Sequence, residues 1–404
     1  RKRLAEGGKL YAMGDPNGGA HPGALALAGL TLLECGADPG DKAVQQIAWE
    51  VRQRAPHIEF TYSIAVAVLF LDRLNAEREK NPDPTDRARI RMLALRLIAG
   101  QNPKSGWDYF CRVLPAADED RLVQRLQSGE YRPGDGWVNE SKRPTIYYDN
   151  SIGQFVTLAL WAARKHKVPV RPALMAVEER YRSNQRPDGS WSYNDQNRFA
   201  RDTSTCAALI GLAVGRGVQD EGQGGGADLL KDPQVQKALL HLQNVVGTKQ
   251  TVAADDLARG RERTREMEET LRKIEDCRDP AELEKLHEKM KKLDNAAELR
   301  GLLFGGDNWG DLYFLWSLER MAVIYDLKKV GDVDWHEWGI DIILRAQTPD
   351  GSWQERFPGL PDTCFALLFL KRANIVKDLT DKLRGALVQA GGQRPPAAPP
   401  GKRE

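Results

Sequence analysis

Four acids stand where apolar runs of this chain begin: Asp149, Asp202, Asp307 and Asp362. Tyr62, beside Glu59, opens another such run, and His21 opens one more. Two of the runs carry a thiol close behind the acid, Cys206 and Cys364. An acid at a helix start is first of all a cap, because it accepts from backbone N–H groups that have no partner within the helix. The partial positive charge of that helix end favours the anion as well. Gathered at one opening, carboxylates, an imidazole and thiols could also bind a ligand or move protons. On that reading Asp362 and Asp202 are the candidate acids or ligands. Tyr62, Tyr148, Asp149, Asp307, Trp309 and Tyr313 would sit at the mouth or line the space behind it.

Such a gathering requires helices that start at the same end, and the sequence repeats in a way that supplies them. Gln347-Thr-Pro-Asp-Gly-Ser-Trp353 has the spacing of Gln185-Arg-Pro-Asp-Gly-Ser-Trp191, with Gly351 and Gly189 in register. Gln101-Asn-Pro-Lys-Ser-Gly-Trp107 is a shifted third version. Each follows an amphipathic run, such as 335–346 with Trp338, Ile342, Ile343 and Ala346 on one stripe. Pro and Gly end that run, and the Trp can plug the gap between layers while its N–H finds an acceptor. A run that is apolar all round follows, as in 366–370, and such a helix must be buried on every side. Buried runs are expected at 24–33, 60–74, 155–163, 202–215, 307–327 and 362–373. Amphipathic partners are expected at 41–54, 87–99, 172–184, 233–246, 335–346 and 377–389. Residues 110–146 read as irregular.

Gln-x-x-x-Gly-x-Trp followed by Asp-Thr-x-x-Ala-Leu-x-x-Leu resembles the Gln–Trp (QW) repeat of terpenoid cyclases, squalene–hopene cyclase among them, and of protein prenyltransferase β-subunits. It also resembles bacterial prenyltransferase/squalene-oxidase-repeat proteins. The resemblance spans roughly residues 20–380. It implies an all-α fold, an α/α toroid of about six inner and six outer helices, with the inner N-termini at one mouth of a central cavity. It further implies an apolar, isoprenoid ligand and cyclase- or prenyltransferase-like chemistry. Fold alone does not fix activity.

The family's chemistries can be laid against the residues. Class II cyclisation uses Asp-x-Asp-Asp to protonate an alkene and aromatic faces to hold the cation. That motif is absent; Asp332-Val-Asp334 ends in Trp335 and reads as a cap. Diphosphate ionisation with magnesium would need a third acid beside Asp255-Asp256. Zinc-dependent prenylation uses Asp-x-Cys, which Asp362-Thr-Cys364 matches, and a His on a neighbouring inner helix. In a closed ring His21 could be that third ligand. Aromatic residues make up 7% of the chain, several of them used in the repeat turns. The alternative reading is therefore a non-catalytic scaffold whose cavity is filled by side chains.

Composition narrows the partners. Net charge is +2 over 404 residues, without the clustered cations of a nucleic-acid groove. Hydrophobic residues make up 41%, enough for a sizeable core, and no run has the length of a membrane span. Five unpatterned cysteines suggest reduced thiols, and hence a reducing compartment. The chain opens at Arg1 without Met, which reads as a cut N-terminus and leaves the compartment unassigned. The repeat domain is placed at 1–390. Within it, residues 251–300 are charged, with apolar positions at heptad spacing and Asp279-Pro280 as a turn. They are expected to form an inserted coiled-coil-like hairpin that offers a surface to a protein partner. Residues 391–404 are Pro-rich and expected to be disordered.

Overall fold

The computed structural model describes residues 22–76, 83–135, 148–197, 200–220, 229–248, 266, 269–270, 273–274, 279, 281–289, 312–353, 357 and 360–389. His21, Asp307, Trp309, most of 251–300 and the 391–404 tail lie outside them.

The described chain is mostly helical. In order come α1 (Pro22–Glu34), α2 (Lys42–Arg54), α3 (Thr61–Ala76), α4 (Pro84–Ala99), α5 (Ala116–Ser128), α6 (Asn150–Ala163) and α7 (Arg171–Asn184). Then follow α8 (Asp202–Gln219), α9 (Pro233–Gln243), α10 (Leu312–Ile324), α11 (Trp335–Arg345), α12 (Leu360–Lys371) and α13 (Lys377–Gln389). Two short strands, β1 (Lys329–Val330) and β2 (Val333–Asp334), pair antiparallel between α10 and α11.

The apolar runs are buried on nearly all sides, as their composition requires. In α3, α6, α8 and α10 almost every residue is out of contact with water. The amphipathic helices bury one stripe: Val44, Ile47, Ala48 and Val51 in α2, and Val235, Ala238 and Leu242 in α9. Among the buried helices α1 packs on α3, α3 on α6, α6 on α8, α8 on α10, α10 on α12, and α12 back on α1. Their neighbour contacts thus close into a cycle. Gly23 lies against Ser63 and Gly29 against Phe70, so α1 and α3 run the same way. Tyr62 meets Ser151 near the start of α3 and α6, and Asp72 meets His166 near their ends, so these two also run together.

The three Gln…Trp turns share one hydrogen-bonding scheme. Trp107, Trp191 and Trp353 donate their indole N–H groups to the carbonyls of Leu97, Tyr181 and Ile343, at 2.6, 2.8 and 2.7 Å. Each acceptor lies ten residues back, in the last turns of the preceding amphipathic helix. The Gln side chains close the turns onto the carbonyls of Ser105, Gly189 and Gly351. Gln101 and Gln185 also reach the first turn of the next amphipathic helix, at the carbonyls of Ala173 and Gln234. Gly189 has φ +85°, and a Cβ there would run into the backbone of Lys237.

Several expectations need correction. Within 110–146, α5 forms a regular helix ended by Gly129 in the left-handed region (φ 78°). Its apolar stripe is only Leu122 and Leu126, too narrow to stand out, yet both are fully buried. Asp202 and Asp362 are not N-caps: α8 is preceded by Arg201, and α12 begins two residues before its Asp. Asp149, Asp41, Asp232 and Asp334 do cap their helices. The helix α13 is not placed like the other amphipathic helices. It lies across the C-terminal ends of α6, α8 and α10, where Asp378 pairs with Arg164 and Arg384 with Asp326. There Lys382 donates to the Gly217 carbonyl and Thr380 to that of Val323.

Part of the charged 251–300 segment is described. Residues 281–289 are helical, with the Asp279 side chain accepting from Ala281 N. Lys289 pairs with Glu266 at 2.8 Å. The expected hairpin otherwise lies outside the described residues.

Candidate functional site

The site that the chain assembles is centred on Asp149. One carboxylate oxygen caps α6 by accepting from Ser151 N (2.6 Å) and Ile152 N (3.4 Å). The other faces three phenols. Tyr193 donates to it in a short hydrogen bond, and Tyr109 and Tyr62 approach at 3.3 and 3.4 Å. Tyr109 and Tyr193 also bond each other at 2.9 Å. Ser151 Oγ accepts from Tyr62 at 2.8 Å and bonds Tyr313 at 2.7 Å, which links α3, α6 and α10. Asp149 is 1% exposed. Burial pushes its carboxyl up to about 6, against the Tyr193 phenol and the backbone N–H groups, which pull it down. Burial also holds the Tyr62 phenol well above its usual value, helped by the nearby carboxylate.

Below this network lies a tier of aromatic rings. Tyr62 meets Phe155 edge-on at 5.3 Å, and Phe155 stacks on Trp316 at 4.8 Å. Phe365 touches both Trp316 (5.2 Å) and Tyr313 (5.5 Å). These rings come from α3, α6, α10 and α12.

Of the residues expected at the mouth, Tyr62, Asp149 and Tyr313 are brought together. Tyr148 is not with them: its ring lies under Arg180 at 4.5 Å and its hydroxyl accepts from Asn184, facing α7. Asp202 is held by His241 of α9 at 2.8 Å. Both carboxylate oxygens of Asp362 accept from Phe357 N, at 3.1 and 3.0 Å. Burial pushes the Cys364 thiol up to about 12, with Thr31 as a partner. The zinc expectation also needs His21, which lies outside the described residues. Among the described residues no group of three or more His, Cys, Asp and Glu is placed to hold a metal ion. The four described cysteines are free, and no described helix is long and apolar enough to cross a membrane.

Tyr109, Tyr193 and Ser151 were missed, although a signal existed. Both tyrosines stand two residues after a repeat Trp, as Trp107-Asp-Tyr109 and Trp191-Ser-Tyr193. The backbone contacts of the two segments correspond as well. The carbonyls of Tyr109 and Tyr193 accept from Thr61 N and Asn150 N, the first residues of α3 and α6. The carbonyls of Asp108 and Ser192 accept from the side chains of the same two residues. Each turn therefore satisfies the N-terminus of the buried helix one repeat back and delivers a phenol to it.

Two pH dependences follow. The carboxyl of Asp149 sits above its unfolded value, so the folded chain binds the extra proton between about pH 4 and 6. Stability is therefore lost as pH rises through that window. Asp149→Asn keeps a capping side chain and cannot ionise. Relative to the parent it should gain on the order of 2–3 kcal/mol between pH 4 and 7, read from urea midpoints. His241 is raised as well, in its case by the hydrogen bond to Asp202. Its stabilising effect is complete below about pH 6.5 and lost as pH rises through the raised value. His241→Gln should lower the melting temperature at pH 5.5 and do so less at pH 8.5.

No protein-family model matches the chain, and no curated protein matches it.

Proposed function

We propose that the chain is an α/α toroid of the terpenoid cyclase and protein prenyltransferase kind. Its inner ring would hold an apolar, isoprenoid-like ligand against the aromatic tier. The closed cycle of helix contacts and the common scheme of the Gln…Trp turns support the architecture. The observation that carries the chemistry is a buried carboxyl, raised to about 6, whose Tyr62 partner packs on Phe155 and so joins it to the tier of Trp316 and Phe365. A carboxylic acid kept partly protonated near neutrality can pass its proton to an alkene. The carboxylate left behind is steadied by the phenols of Tyr62, Tyr109 and Tyr193. The carbocation is steadied by the ring faces below and returns a proton to Asp149, so an isomerised or cyclised hydrocarbon leaves with no co-reactant.

A second reading, the non-catalytic scaffold, is favoured by the 4.8 Å stacking of Phe155 on Trp316, which fills part of the interior with side chains. Mass spectrometry of small molecules released from the purified chain, followed by incubation with the polyenes found, separates the two. Bound isoprenoid, with conversion abolished in Asp149→Asn, supports the enzyme. Ligand-free protein that converts no polyene leaves the scaffold.

A further inference from the structure

One turn below the aromatic tier, the interior holds a charged pair that nothing above uses. Tyr313, Trp316 and Arg320 share a face of α10, at steps of three and four residues. Trp316 and Arg320 are 1% and 2% exposed, and Glu319 is 0% exposed. The Arg320 guanidinium stands 5.4 Å from the Trp316 ring. One of its nitrogens, Nη2, donates to Glu319 Oε2 in a short contact. Burial pulls the guanidinium down to about 9, and the nearby Glu34, itself held by Arg73, opposes this.

Four atoms of this group have no hydrogen-bond partner: Trp316 Nε1, Arg320 Nε, Arg320 Nη1 and Glu319 Oε1. Buried polar atoms left unpaired are costly, and these four lie on residues of one helix turn. The set has a definite chemistry. Three atoms are donors and one is an acceptor, so the missing group both accepts and donates. The Glu319–Arg320 pair is already neutral as a unit, so the missing group need not carry charge. A hydroxyl can take two of these donors and give its O–H to the acceptor.

We infer that the deep end of the interior is a binding position for the hydroxyl of an apolar alcohol. Its oxygen accepts from Trp316 and Arg320, and its proton is given to Glu319. This rests on the reading of the interior as an apolar ligand site and adds the class of ligand: an oxygenated isoprenoid-like molecule rather than a hydrocarbon or an anion.

The test uses the full chain and three probes: farnesol, its hydrocarbon counterpart farnesene, and farnesyl phosphate. Calorimetric titration should show farnesol bound at least about tenfold more tightly than either of the others. In ¹⁵N-indole spectra farnesol should move the Trp316 signal, assigned through Trp316→Phe, and farnesene should not. Arg320→Met should bring farnesol down to the affinity of farnesene. Equal binding of farnesol and farnesene overturns the inference alone, and means that the position holds water only. Tighter binding of the phosphate overturns it in favour of an anion site. Binding of none of the three overturns it together with the reading beneath it. The ranking of probes on the unaltered chain stands even where a variant fails to fold.

Discussion

Trp191→Ala is expected to destabilise the chain by about 3–5 kcal/mol, the range for deleting a large buried aromatic side chain. The indole is 1% exposed, packs edge-on against Tyr181 at 6.4 Å, and supplies the donor for the Tyr181 carbonyl. Its removal opens a cavity between layers and orphans a carbonyl in the last turns of α7. Trp191→Phe should fall between, since it refills most of the volume and still leaves that carbonyl unpaired. Trp49→Ala is the control: that ring is 57% exposed, and its loss should stay within about 0.5 kcal/mol. Urea midpoints at constant slope provide the measurement. Near-equal losses for Trp191→Ala and Trp49→Ala would remove the structural role assigned to the repeat turns.

Glu319→Ala should be as damaging, by about 3–5 kcal/mol, because it leaves the buried Arg320 charge with no counter-charge on its own helix turn. Replacing both, as Glu319→Leu with Arg320→Met, should restore most of the loss, and the double variant could equal or exceed the parent. The reason is desolvation. Two charges taken out of water recover that penalty only when every remaining donor and acceptor is paired, and here three atoms of the pair are not. Thermal unfolding of the two single variants and the double variant forms a cycle. Additive effects would show that the side chains do not act as a pair.

The helices were legible from residue order alone, for a simple reason. A run such as 366–370 has no polar face, so it can only be buried, and the Pro/Gly turns that break the runs act within a few residues. Asp149 as a cap was legible in the same local way. By contrast, α5 was hidden because two leucines suffice to bury one narrow stripe. Asp202 and Asp362 fall just inside their helices, because helix ends are fixed by local sequence only to within a residue or two.

Apart from α5, the sequence by itself determined which described segments are helical, which are buried, and where the chain must turn. These follow from composition and periodicity over ten to fifteen residues. Tertiary structure alone decided three things: that Tyr109 and Tyr193 meet Asp149 from 40 and 44 residues away, that α13 crosses the ends of its neighbours, and that a charged pair lies deep in an apolar run. No local rule fixes these. Each depends on which face of one helix meets which face of another, and that is set by the packing of the whole cycle at once.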